Sequence, residues 1–373
     1  MSRFFQSAHY ARFLLFCAYL MVAAAAFNGF YSKWQLRDGY IKMGAQSMLE
    51  GTATKPFIYR QLGLVIANGL DAALPEPARS RLSSKLSNPD RRSTIARNAA
   101  SESLIPSLTN RYYALYYLTF LAMFASMFIM RRMCLLAGAP VVPATIAPAL
   151  LALMFPFILT EGGYYYDFLE LMFMTGAVAL ALAPTLNVLA RSLLVCVWVA
   201  LATSNKESFF FFTIALYPLF RIHMTRANAM TLTAAATFIC GLVYLYIRMK
   251  FAGSIGDPID LQWRNNAAFY IVPTNWWRME STYGLLLPRA FSVFFIFIFL
   301  GIAVAGWKKL SLPIRRHIQW AALINVPLFL IGGAPGEVRN LSMLLPGLLA
   351  LMAAAIGVWQ KAEVPTPRSE SVR

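Results

Sequence analysis

Gly138-Ala-Pro-Val-Val-Pro-Ala-Thr-Ile-Ala-Pro-Ala-Leu-Leu-Ala-Leu-Met-Phe-Pro-Phe-Ile-Leu159 carries no charged residue over 22 positions. About 20 such residues are enough for a helix to cross the hydrocarbon core of a bilayer. The stretch is apolar all round, with neither a 3.6 nor a 2 rhythm, and a helix of that kind belongs in a very large core or in lipid. Nine more apolar blocks lie outward from it, at about 11–28, 112–130, 168–184, 192–204, 209–221, 229–248, 290–307, 318–332 and 341–359. The reading is an all-α, polytopic transmembrane helical bundle of about ten spans. One transmembrane domain is expected over 1–362. Within it, 29–111 forms a long first extracytoplasmic loop containing amphipathic surface helices, and 249–289 forms a second large loop anchored by Trp263, Trp276 and Trp277. A disordered cytoplasmic tail is expected over 363–373.

Composition agrees. Of 373 residues, 59% are hydrophobic and 13% charged, about half the charged share of a soluble domain. The net charge of +17 does not imply nucleic acid, because the basic residues sit in short gaps between apolar blocks and form no continuous face. Arg131, Arg132, Arg191, Arg221, Arg226, Lys308, Lys309, Arg315 and Arg316 all fall on one side of a ten-span chain. That is the positive-inside pattern, and it places both termini in the cytoplasm. The first block, ending in a run of alanines, is read as an uncleaved span rather than a signal peptide. Cys17, Cys134, Cys196 and Cys240 make no CxxC pair, so neither a disulfide framework nor a zinc site is implied. His9, His223 and His317 sit at block edges beside arginines and read as interfacial residues.

The acid–base patterns all fall on the opposite, non-cytoplasmic side. Asp38 follows the first span and precedes a short amphipathic segment. Ile41, Ala45, Met48 and Leu49 share one face, Lys42, Gln46 and Glu50 the other, and Gly51 is a stop signal. Asp38 is therefore either an N-cap or a general base held at the membrane boundary. Arg60, in Lys55-Pro-Phe-Ile-Tyr-Arg60, suits bidentate capture of a phosphate or carboxylate, or else snorkels at the start of a helix. In Glu161-Gly-Gly-Tyr-Tyr-Tyr-Asp167, Asp167 and Glu170 make a capping pattern. Tyr164, Tyr165 and Tyr166 suit stacking on a sugar ring whose hydroxyls Asp167 would hold. Asn205-Lys206-Glu207 lies between two short apolar stretches that read as half-length helices meeting at a polar break. Such charges are poorly solvated unless a cavity is present, so Lys206 is read as a phosphate ligand oriented by Glu207. Glu337 and Arg339, in Gly336-Glu-Val-Arg-Asn340, are either an exposed ion pair or the holder of an anionic leaving group.

The stretch Arg37-Asp38-Gly-Tyr40-Ile-Lys-Met-Gly44-Ala45-Gln-Ser-Met48-Leu-Glu-Gly51, followed by Pro56 and Tyr59-Arg60, resembles the first outer loop of the GT-C superfamily of membrane glycosyltransferases. The resemblance implies sugar transfer from a polyprenyl-phosphate-linked donor to a lipid or glycan acceptor on the outer face of a bacterial inner membrane. It also implies that Asp38 is the catalytic base. Arg60, Tyr165, Asp167, Lys206, Glu207, Glu337 and Arg339 would be the donor-binding set. No cofactor is implied. Gly39 stands where many members carry a second acid, which leaves a divalent metal open. Partners would be the lipid-linked sugar, the acceptor and membrane lipids. Two other readings are a polysaccharide polymerase or ligase acting on lipid-linked sugars, which would not require Asp38, and a transporter with its substrate site at the 205–208 break.

Overall fold

Every apolar block holds a helix in the computed structural model, which describes residues 2–88, 101–257 and 261–363. In lipid a backbone must satisfy its own hydrogen bonds, and the helix does so within one segment. The chain runs through α1 (Ser2–Trp34), α2 (Ala45–Leu49), α3 (Leu62–Ala72) and α4 (Glu76–Ser87), then α5 (Pro106–Leu136), α6 (Val141–Ile158), α7 (Tyr165–Leu182) and α8 (Val188–Asn205). Two short helices follow, α9 (Phe209–Ala215) and α10 (Tyr217–Phe220), before α11 (Arg226–Lys250) and α12 (Trp263–Ile271). An antiparallel hairpin of β1 (Met279–Thr282) and β2 (Leu285–Pro288) leads to α13 (Val293–Trp307), α14 (Leu312–Gly332) and α15 (Leu345–Glu363). The hairpin is the one departure from an all-α reading among the described residues. Of the expected tail, only Glu363 lies within them.

Seven helices are long and apolar enough to cross a membrane. The chain is a helical membrane protein. α7 is its axis: 89% of its most apolar window is enclosed, against 22% for α11, which faces outward. Aromatic edges lock α1, α5 and α7 together, with Phe27 4.7 Å from Tyr116 and Phe30 4.8 Å from Phe168 between ring centres. Glycines let other helices touch. The Trp198 ring of α8 lies where a side chain at Gly176 would be, and Trp198 donates to the Phe173 carbonyl at 2.8 Å. Without a hydrophobic force between helices in lipid, such close approach is what holds them.

The sixth block, 209–221, makes two short helices instead of one long one, and the residues flanking it reach the two ends of α7. Asn205 donates to the Tyr166 carbonyl at one end, and His223 meets the Leu182 carbonyl at the other. Ser208 breaks the chain after α8, and Pro218 starts α10. Arg131 and Arg132 in the last turns of α5, Arg191 in the first turn of α8, and the basic turns after α10 and α13 lie at the end opposite to residues 34–60, 161–167 and 333–342. Arg191, read as a loop residue, is instead buried there, its guanidinium donating to the Ala183 carbonyl. His317 is likewise inside, bonded to the Ala215 carbonyl at 2.6 Å and packed on Phe212, not interfacial.

The first long loop folds back onto the bundle. Glu102, buried just before α5, accepts the Gly39 amide at 2.7 Å and the Gln46 amide at 3.1 Å. Helix α2 begins only after Gly44, so Asp38 is no N-cap and Ile41 lies outside the helix, fully exposed. Gly51, with φ +74°, does end it. In the second loop Trp263 and Trp277 face outward, whereas Trp276 turns in to donate to the Tyr270 carbonyl at 3.0 Å.

Candidate functional site

Asp167 is the third residue of α7, and its carboxylate reaches back to the Tyr164 amide at 3.0 Å. The helix therefore starts three residues earlier than the capping pattern suggests. Glu170 stands one turn on, on the same face. Between the two carboxylates sits Lys206, 3.3 Å from Asp167 and 2.5 Å from Glu170. The second oxygen of Glu170 accepts from Ser208 and Ser342, both at 2.7 Å. Lys206 reaches this point because the backbone turns extended at the end of α8.

Arg339 comes from the turn before α15. Its guanidinium lies 3.2 Å from Asp167, while Glu337 holds its other edge at 2.9 and 2.5 Å. Asn340 donates to the remaining Glu337 oxygen at 2.6 Å. Arg339 and Glu337 are both more than nine-tenths buried, so the reading of an exposed ion pair does not hold. Arg60, in the turn between Tyr59 and α3, pairs with Glu207 at 3.0 Å and also donates to the Tyr166 hydroxyl. Burial works against ionising Glu207, but the Arg60 guanidinium outweighs it and holds the carboxyl below the usual carboxylate range. Burial also disfavours charge on Arg60, and Glu207 with Tyr166 more than reverses that.

Three tyrosines frame these pairs. Tyr164 and Tyr166 stack at 4.9 Å and 10°. Arg60 lies 4.5 Å from the Tyr166 ring, and Arg339 4.7 Å from that of Tyr164. The rings expected to stack on a sugar are thus engaged by each other and by guanidinium groups. Tyr165 is fully enclosed. Its ring covers Gly63 and its hydroxyl donates to the Arg60 carbonyl at 2.9 Å, so it positions Arg60 from behind.

Seven candidate residues, Arg60, Tyr165, Asp167, Lys206, Glu207, Glu337 and Arg339, therefore gather at one end of the bundle from four separate segments. Asp38 lies at the same end but in a neighbouring arrangement: Tyr112 of α5 donates to its carboxylate at 2.7 Å, and Tyr31 meets Tyr112 at 3.0 Å. Three participants escaped sequence reasoning. Glu170 is legible only as a cap, and Ser342 carries no signal at all. Arg37, beside Asp38, is turned inward by a left-handed backbone (φ +63°). Its Nε donates to the Gly163 carbonyl at 3.1 Å, and its guanidinium lies 4.3 Å from the Trp34 ring and 4.7 Å from the Tyr164 ring. Among the described residues no group of three or more His, Cys, Asp and Glu side chains is arranged to hold a metal ion. In this cluster the acids alternate with cations.

Comparison with protein-family models, with curated proteins and with solved structures gave no match.

Proposed function

We propose that this chain is a membrane glycosyltransferase that moves a sugar from a polyprenyl-phosphate-linked donor to a lipid or glycan acceptor on the extracytoplasmic face of a bacterial inner membrane. In this reading the chain crosses the bilayer ten times, both termini are cytoplasmic, and the charged cluster opens outward. The observation that carries it is the gathering of five cation–carboxylate pairings, four of them with both partners buried, beside the Asp38 turn. Charges at membrane depth are costly and are functional by default. Here they come from distant segments to one place.

The acceptor hydroxyl oxygen attacks the anomeric carbon as the bond from that carbon to the phosphate oxygen breaks. The hydroxyl proton passes to Asp38, and the electron pair leaves with the prenyl phosphate. Tyr112 orients the Asp38 carboxylate, and fixed positive charge beside the Asp38 turn stabilises the departing anion in a low-dielectric setting. The test is Asp38→Asn in membranes, assayed for glycan product with insertion checked. Loss of general-base catalysis costs about a hundredfold or more in turnover. Wild-type turnover would remove Asp38 from the reaction.

A transporter is the second reading, favoured by one observation: Lys206 is buried at the break between α8 and α9, where interrupted helices build substrate sites. Solute flux that survives Asp38→Asn would support it.

A further inference from the structure

Four cations face the Tyr164–Tyr166 pair, and three are already neutralised. Lys206 is shared by Asp167 and Glu170, Arg339 by Asp167 and Glu337, and Arg60 is paired with Glu207. Arg37 differs. It is 94% buried by its 6% exposure, yet among the described residues it makes no ion pair with a carboxylate. Its guanidinium lies against the rings of Trp34, Tyr40 and Tyr164, at 4.3, 5.5 and 4.7 Å, and the carboxylate across the Gly162 turn, Glu337, is already bonded to Arg339 and Asn340. One nitrogen, Nε, is fixed to the Gly163 carbonyl, which sets the plane of the guanidinium and leaves its outer edge to other partners.

That edge points over the glycine turn. A side chain at Gly162 would come within 2.7 Å of Arg37 Nη2 and 3.0 Å of Glu337 Oε1, so only glycine leaves the space beside the guanidinium clear. Burying a cation without an anion is strongly unfavourable, and an arginine in left-handed backbone adds strain. The first cost is answered if an anion arrives from outside, and strain retained at such a turn is a mark of a functional segment. A planar, bidentate donor is the group best matched to phosphate. The exposed side chains of Tyr40 and Ile41 lie three and four residues further on, and the Tyr40 ring sits 5.5 Å from the guanidinium, so exposed apolar surface adjoins Arg37.

We propose that Arg37 is the anion-binding group of this site, taking the phosphate of an amphiphilic prenyl-phosphate headgroup. Arg60, Lys206 and Arg339 hold the framework around it. This rests on the lipid-phosphate reading above and names the residue that would receive that phosphate.

The experiment is calorimetric titration of the full chain in detergent with farnesyl phosphate, farnesol and inorganic phosphate, for wild type, Arg37→Ala, Arg37→Lys and Arg316→Ala. Farnesyl phosphate binding falls about tenfold or more in Arg37→Ala, as expected for loss of a charge-assisted bidentate contact. It falls less in Arg37→Lys, which keeps the charge without the fork and serves if the alanine variant does not fold. Arg316→Ala, at the other end of the bundle, binds as wild type. Inorganic phosphate binding as tightly as farnesyl phosphate, and lost with Arg37, supports the anion site and makes its ligand a free phosphate. Farnesyl phosphate binding that is unchanged in both folded Arg37 variants, or matched by farnesol, overturns the inference. Arg37-dependent binding in a protein that transfers no sugar leaves this inference standing and defeats the transferase reading alone.

Discussion

Asp167→Asn removes the one carboxylate shared by Lys206 and Arg339, leaving two buried cations with a single anion each. Removing one partner of a buried ion pair costs about 3–5 kcal/mol, so the unfolding midpoint in detergent should fall steeply. Glu76→Gln, at an exposed pair with Arg79, should leave it unchanged, since such surface pairs contribute little. Glu207 gives a pH signature. Its carboxyl is held below the ordinary range in the folded protein, mainly by Arg60 outweighing burial. That stabilisation is complete above the unfolded-state value and is lost as pH falls through the depressed folded-state one. Glu207→Gln should therefore flatten the acid limb of a stability-against-pH curve, and an unaltered limb would deny the pairing with Arg60. At this scale the sequence reveals residues whose surroundings are apolar. Lys206 and Glu207 stand out because Phe209 to Phe212 follow them. Arg37 does not, because an arginine just after a span normally snorkels to the interface, and nothing local announces a left-handed turn. Glu170 is hidden for the opposite reason, since one turn into a helix an acid reads as a dipole partner.

At the scale of elements, the contact between α13 and α15 depends on Gly306. A Cβ there would lie 2.5 Å from the Leu351 carbonyl oxygen, a backbone atom that cannot swing away. Gly306→Ala should destabilise the protein by about 1–3 kcal/mol, as over-packing does, and Gly301→Ala, where a Cβ meets open space, should not. Equal melting of the two variants would show that α13 has room to slide. Helix positions are legible from apolar blocks because lipid demands a continuous apolar helix. Helix caps near the site are less so. Gly51 ends α2 as read, but the helix starts at Ala45 instead of following Asp38, because Glu102, some sixty residues on, takes up the Gly39 and Gln46 amides. A partner that distant leaves no trace in the local pattern. The β1–β2 hairpin was invisible for a similar reason: its four-residue strands are shorter than any periodicity that could reveal them.

For the whole molecule, the prediction concerns sidedness. Cysteine placed at the exposed Ile41 should react with an impermeant maleimide from outside intact cells. Cysteine at the exposed Lys309 should react only after the membrane is opened. Both positions reacting from one side would dissolve the two-ended arrangement. Which side each end faces is what the labelling tests; that the bundle has two chemically distinct ends was readable from charge alone, since basic residues mark one end and mixed acid–base turns the other. How the mixed end closes on itself was not, because ion pairing among residues 60, 167, 206 and 339 depends on the helices being assembled first.

The grip of α5 on the first loop has a mechanical corollary. Asp38 is tethered through Tyr112 on that helix and through Glu102 just ahead of it, whereas Asp167 and Glu170 ride on α7. The gap between the Asp38 carboxylate and the cations held by Asp167 is thus a spacing between two neighbouring rods. A slight splaying of those rods would carry the acid away from Lys206 and Arg339 while their pairs with Asp167 and Glu170 stay intact, and closing would bring it back.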